Sequence, residues 1–185
     1  GVITVARSNA TITYPANFTL IASMNPCPCG NYGSKEKECH CSPGQISRYL
    51  AKLSGPIMDR IDIHIEVDNV TYDQLKSDER AERSSEIKKR VNKARAVQTE
   101  RFKNDKNFCN AKMSSYQVKK YCKLDANGDI MLRNAFEKLK LSARAHDRLL
   151  KVARTIADLD GSENIEAQHI AEAISYRQLD RKYWN

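Results

Sequence analysis

Along residues 2–14, "VITVARSNATITY" alternates apolar and polar positions and is rich in Val, Ile and Thr, which predicts two short strands turning at Ser8-Asn9. After Pro15 the apolar run "FTLIAS" predicts a short buried strand that ends at Asn25, and "GQISRYLAKLSG" predicts a short helix closed by Gly55. "RIDIHIEV" then alternates strictly, with Ile61, Ile63, Ile65 and Val67 on one face and Asp62, His64 and Glu66 on the other, the pattern of a half-buried strand.

From Ser84 onward the period changes to that of helices. "SSEIKKRVNKARAVQTERF" sets Ile87, Val91, Ala94 and Val97 near helical spacing behind Ser84 as N-cap. Ser114 and Gln117 form a capping box for a helix over Tyr116 to Cys122. "DIMLRNAFEKLKL" puts Ile130, Leu132, Ala135, Phe136 and Leu139 on one face. Ser142 opens the next helix, with Leu149, Val152, Ala153 and Ile156 inward and Gly161 as its stop. A last helix runs from about Ile165 to Leu179. The pattern therefore predicts a β-containing first third and a bundle of about four helices, joined near residues 68–84.

The 185 residues are 41% apolar and 29% charged, which is the composition of a globular protein with a real core. No apolar run approaches the roughly 20 residues that span a bilayer, and no signal-peptide pattern is present. The chain opens on Gly1 and runs straight into a strand-like segment, so it reads as a piece of something longer. The net charge is +8, and the segment from Lys76 to Lys106 holds eleven Lys and Arg against six Asp and Glu. Such a stretch is either a solvated helix of mixed charge or a face that tracks phosphates.

Four of the six cysteines fall between residues 27 and 41, as the pairs Cys27/Cys29 and Cys39/Cys41. Without a secretory signal, close spacing points to metal before disulfide. Two Cys-x-Cys knuckles with Pro26, Pro28, Gly30, Pro43 and Gly44 around them can surround a tetrahedral Zn²⁺, with His40 as a substitute ligand. The loop between them is polar except for Tyr32 and needs such a staple. The alternative is four reduced thiols in a flexible loop. Four protein ligands leave no open position, so a bound zinc would be structural.

Three other residues stand out. Asn25 ends an apolar run before a proline, either capping a turn or holding an amide where open α/β sheets bind ligands. Arg60 stands between Asp59 and Asp62, where a local salt bridge is the simple explanation. Arg144 lies in the first turn of a helix, where a cation is slightly unfavourable and hints at an external anion. Arg148 and Arg154 on the same helix compete for that role. His64 and His169 carry no assignment, and Cys109 and Cys122 read as structural. There is no Ser-His-Asp arrangement and no G-x-x-x-x-G-K-[ST] loop.

Four segments together, "GVITVARSNATITYPANFTLIASMNPCPCG", "LSGPIMDRIDIHIEV", "LSARAHDRLLKVARTIADLDGS" and "HIAEAISYRQLDR", resemble the C-terminal half of the magnesium-chelatase-like AAA+ ATPases of the ComM/YifB type. The resemblance runs from Gly1 to about Arg181 and is weakest over residues 71–83 and 104–125. It implies an α/β fragment followed by an all-α part: the C-terminal portion of an AAA+ core over residues 1–70 with a cysteine insertion at 27–41, a basic connecting segment over 71–110, and a helical lid over 111–185.

It further implies that Asn25 is the sensor-1 asparagine, Arg60 the arginine finger and Arg144 the sensor-2 arginine. ATP and Mg²⁺ would serve the full-length protein, a cytoplasmic homo-oligomer, as a hexameric ring, with DNA as partner in branch migration during natural transformation. The phosphate-binding loop and the Mg²⁺-holding acidic strand of the family have no counterpart here, so the chain alone is expected to be inactive. Two rivals remain: metal insertion into a porphyrin, and a zinc-stabilised DNA-binding or interaction module without enzymatic activity.

Overall fold

The computed structural model describes residues 1–34, 36–67, 70, 72, 76, 81–105, 107–139 and 141–177; of Leu139 only the backbone is described. The chain divides into two compact units, Gly1–Tyr49 and Leu50–Asn185. Their described residues are rich in helix, with one small two-stranded sheet.

In the first unit, β1 (Val2–Arg7) and β2 (Ala10–Pro15) form an antiparallel hairpin around the expected Ser8-Asn9 turn. Its register pairs Ile3 with Tyr14 and Val5 with Ile12 on one face, and Thr4 with Thr13 on the other. The two threonine hydroxyls lie 3.2 Å apart, and the Ala16 amide donates to the Gly1 carbonyl at 2.8 Å. The segment Phe18–Ser23, expected as a buried strand, forms none: it has no ladder partner among the described residues, and Ile21 is 91% exposed. An apolar run signals a need for cover, but a strand exists only when a second chain segment offers its amides and carbonyls. Helix α1 (Pro43–Leu50) follows the cysteine loop.

The second unit contains α2 (Gly55–Met58), α3 (Ser84–Arg101), a 3₁₀ turn (Asn110–Lys112), α4 (Ser115–Tyr121), α5 (Ala126–Leu139), α6 (Ala143–Asp160) and α7 (Ala167–Ser175). Its centre is α6, which packs against α3, the 3₁₀ turn, α4 and α7. Ala145, Leu149, Ala153 and Ala157 recur every four residues along its buried stripe, and the three alanines are small enough to let neighbouring helices approach closely. Around them lie Phe102, Met113, Val118, Leu132, Ile165 and Ile170. The caps fall where the sequence puts them. Ser114 and Gln117 make a reciprocal capping box on α4, the Ser142 hydroxyl accepts from the Ala145 amide at 3.2 Å, and Gly161 ends α6 at φ 78°.

Several expectations need correction. Ser84 is the first helical residue of α3, and Arg83 is its N-cap. On that helix Ala94 and Gln98 are buried, while Ile87, Val91 and Val97 are exposed. The core accepts Gln98 because its side-chain oxygen takes the buried Asn110 amide at 3.2 Å. On α5 the inward stripe is Gly128, Leu132 and Ala135, with Ile130 turned to solvent. Ile61–Val67 forms no strand, and its burial runs opposite to the expected phase: His64 is 8% exposed and Val67 is 86% exposed. Side chains and a loop satisfy this backbone in place of a ladder. Arg148 donates to the Arg60 carbonyl, Arg177 donates to the Ile61 carbonyl, and the His64 amide donates to the Tyr176 carbonyl at 2.9 Å. The last helix is shorter than the expected Ile165 to Leu179: it runs from Ala167 to Ser175, with Glu166 as N-cap and Tyr176 as C-cap, and most of the joining segment 68–83 lies outside the described residues.

Asp158 is the polar anchor of this core. Its buried carboxylate accepts two hydrogen bonds from Arg101 at 2.5 and 2.7 Å, one from the Arg154 Nε at 3.1 Å and one from Asn110 at 2.7 Å. Arg154 spends its other donors on the Ser162 and Glu163 carbonyls, and burial holds its pKa below the ordinary arginine value. Asp158→Asn leaves two guanidinium groups with no counter-charge in a buried site, and is expected to destabilise the unit by about 3–5 kcal/mol. Urea denaturation of the chain checks this, and a loss below about 1 kcal/mol would show the network to be dispensable. Among the described residues, no helix is long and apolar enough to cross a membrane.

Candidate metal centre and arginine sites

In the first unit the backbone brings the two Cys-x-Cys pairs to one point. The Gly30 amide donates to the Cys27 carbonyl at 3.0 Å, closing a tight turn over Cys27-Pro28-Cys29, and Gly30 sits at φ 82°, where a side chain would strain the backbone. The second pair is held from the other side. The Ser42 amide donates to the Gln45 side-chain oxygen at 2.8 Å and the Ser42 hydroxyl accepts from the Gln45 amide at 3.4 Å, with Pro43 first in α1. Between the knuckles, the Ser34 hydroxyl accepts from the amides of Glu36 and Lys37, and the Asn31 side chain donates to the Glu38 carbonyl at 3.4 Å.

The outcome is a cluster in which the Cys27, Cys29 and Cys39 sulfurs lie 3.3 to 3.7 Å from one another. The Cys41 sulfur completes a set of four within 4.8 Å. A zinc ion bound tetrahedrally to four thiolates at about 2.3 Å would set its sulfurs roughly 3.8 Å apart, so the donor set fits one such ion. Cys27 is buried, Cys29 is exposed and the other two are half-buried, while His40 points to solvent and stays outside the set. The thiols do not titrate alike. The Asn31 amide, with the Cys27 side chain, holds Cys29 down at about 6. Cys39 is pushed up to about 12 by burial and by its Cys29 and Cys27 neighbours, against the pull of the Cys41 amide. Like charges this close cannot all ionise alone, and a divalent cation is what would let all four deprotonate together. The four cysteines can thus hold a metal ion.

Asn25 is exposed at the foot of the first knuckle, with its amide nitrogen 3.8 Å from where a side chain on Gly30 would begin.

In the second unit, Arg60 sits just after α2 and donates to the Pro56 carbonyl at 2.7 Å. Both carboxylates beside it in sequence are taken by other arginines: Asp62 by Arg148 at 2.7 Å, and Asp59 by Arg177 at 3.6 Å. The local salt bridge that the sequence suggested for Arg60 is therefore absent among the described residues, and its guanidinium is exposed. Arg144 is exposed in the first turn of α6, and no ion pair or hydrogen bond holds its side chain among the described residues. Arg148 and Arg154 are occupied, one by Asp62 and the Arg60 carbonyl, the other by Asp158 and the loop after α6. Of the three arginines on that helix, only Arg144 is available to an external anion. Sequence reading missed the part of Arg177, and nothing in its local sequence signals a partner more than a hundred residues away.

Residues 81–177 match the family described as magnesium chelatase, subunit ChlI C-terminal, and residues 1–75 match magnesium chelatase, subunit ChlI. The chain is 42% identical over 182 residues to the competence protein ComM of Haemophilus influenzae and 43% identical over 182 residues to the uncharacterized protein YifB of Escherichia coli, covering 98% of this chain in each case. A protein of Mycobacterium tuberculosis is 32% identical over 178 residues. The chain spans 35% of the length of each of these relatives. It belongs to the magnesium chelatase ChlI family, as a segment of its ComM/YifB type.

Proposed function

We propose that the full-length protein is a ring-forming AAA+ ATPase motor acting on DNA, and that this chain contributes Asn25, Arg60 and Arg144 to ATP sites shared between subunits. On this reading residues 1–70 belong to the ATPase core, 71–110 to a basic connector and 111–185 to a helical lid whose movement couples hydrolysis to work. The observation that carries the proposal is the state of Arg60: a cation flanked by two carboxylates, yet paired with neither because Arg148 and Arg177 hold them. An exposed guanidinium left without a counter-charge in this way, holding only the Pro56 carbonyl, suits contact with a phosphate brought by a neighbour. Arg144 likewise has no carboxylate partner among the described residues.

In the reaction, water attacks the γ-phosphorus of ATP and ADP leaves. Asn25 orients that water, and Arg60 from the adjacent subunit meets the charge that develops on the transferred phosphoryl group. Mg²⁺ arrives with ATP and neutralises its phosphates; no residue of this chain is assigned to it. Cys27, Cys29, Cys39 and Cys41 would hold Zn²⁺, and with all four ligands supplied by the protein it would fix the loop that leaves Asn25 and take no part in hydrolysis.

The cysteine cluster and the basic surface of α3 also suit a zinc-stabilised DNA-binding module with no enzymatic activity. The two readings part on one experiment, ATP turnover by the full-length protein with Arg60 intact and with Arg60→Ala. Turnover that requires Arg60 supports the motor. Turnover unchanged by the substitution makes Arg60 a surface residue, and no turnover in either protein favours the module.

A further inference from the structure

In the second unit a cleft of about 450 Å³ opens where the end of α3, the end of α4 and the loop after α6 converge. Its floor is the Arg101–Asp158–Arg154 network, in which two guanidinium groups share one carboxylate and leave a positive balance. Lys120, its ammonium 4.8 Å from the centre of the Tyr121 ring, and Lys123 line it, with Glu163 as an exposed carboxylate on the same cleft. Lys93, two turns before Arg101 on the same stripe of α3, extends its ammonium to 3.6 Å from where a side chain on Gly161 would begin. Three other cations on and beside α3 are paired, Lys89 with Glu86, Arg90 with Glu82 and Lys103 with Glu100, while Lys88 and Arg95 lie outside the cleft lining. Lys93, Lys120 and Lys123 have no carboxylate partner among the described residues.

We propose that this cleft binds the phosphate backbone of DNA. The inference rests on DNA being the partner of the protein, and it assigns that contact to one place, separate from Asn25, Arg60 and Arg144. From Lys93 to Arg101 the helix rises about 12 Å, roughly three to four base-pair rises along a duplex axis. The Arg101 side chain is held by Asp158 and only 13% exposed, so it supplies fixed charge, while the exposed lysines supply the direct contacts. None of these groups reads a base, so binding here is indifferent to sequence.

The test measures binding of the full 185-residue chain to a fluorescent 30-nucleotide single strand and to a duplex across a salt series, with Lys93→Glu/Lys120→Glu/Lys123→Glu as the variant. A second variant, with alanine at the same three positions, removes charge without adding repulsion. A charge-matched control places glutamate at Lys88, Arg133 and Lys138, which lie elsewhere on the helical surface. All six positions are exposed, so each protein should melt as the parent does. The expected result is an affinity loss of about tenfold or more for both cleft variants. Each lost contact should lower the slope of log affinity against log salt by about 0.7–0.9, and the control should keep the parent slope. Cleft variants that bind like the parent would overturn the cleft while leaving DNA as the partner. A control that falls as far as they do overturns it equally. A parent chain with no salt-dependent DNA binding would overturn both.

Discussion

Arg60→Ala in the full-length protein is expected to reduce ATP turnover by a factor of about 10³–10⁵ while leaving nucleotide binding nearly unchanged. The split follows from when the contact matters. A guanidinium brought from a neighbouring subunit meets the phosphoryl group as charge develops on it, so its loss raises the barrier to reaction more than it weakens the ground-state complex. Arg60→Lys should fail almost as badly, because a single ammonium does not reproduce the planar fork of five donors. The structure adds a finer expectation. Arg148→Ala frees Asp62 to pair with Arg60, and should give a smaller loss of turnover, since a finger held by its own subunit is less available to its neighbour. Turnover and nucleotide binding measured side by side decide this. Equal losses in both would assign Arg60 to binding, and no loss in either would make it a surface residue.

The second large effect concerns the cysteine cluster. Protein purified without chelators is expected to carry about one zinc per chain by elemental analysis, and Cys29→Ser/Cys39→Ser almost none. Structural zinc in small peptides is worth about 10–16 kcal/mol of apparent binding free energy at neutral pH, far more than the few hydrogen bonds that otherwise hold the loop between the knuckles. Its removal should therefore expose the loop, and limited trypsin digestion should cut after Lys37 in the double variant well before it cuts the parent. Equal digestion rates and no metal in the parent would reduce the cluster to four neighbouring thiols.

Features decided within a few residues were legible in the sequence. The Ser8-Asn9 hairpin, the Ser114/Gln117 box, the Ser142 cap and the Gly161 stop each rest on a side chain or backbone state that acts on its own turn. The cysteine cluster was legible for the same reason, since two knuckles a short loop apart can meet without help from the rest of the chain. The segments Phe18–Ser23 and Ile61–Val67 were misread because alternation records which residues seek cover, while a strand also needs a partner that local sequence does not name. The state of Arg60 was hidden in a similar way. Its two neighbouring carboxylates made a salt bridge the simple reading, and the arginines that claim them lie far along the chain, Arg148 in α6 and Arg177 in the turn after α7. The Arg101–Asp158–Arg154 network joins residues 57 positions apart, and only the packing of α3 on α6 reveals it.

In the proposed motor, each ATP site is to be served by Asn25 of one subunit and Arg60 of the next. Full-length Asn25→Ala and Arg60→Ala proteins should each be nearly inactive alone. Mixed in equal amounts and allowed to exchange subunits, they should regain turnover. Wherever an Arg60→Ala subunit, with its asparagine intact, sits against an Asn25→Ala subunit, with its arginine intact, the site is whole; random mixing makes this about a quarter of all sites. A mixture that stays as inactive as its components would contradict the shared site.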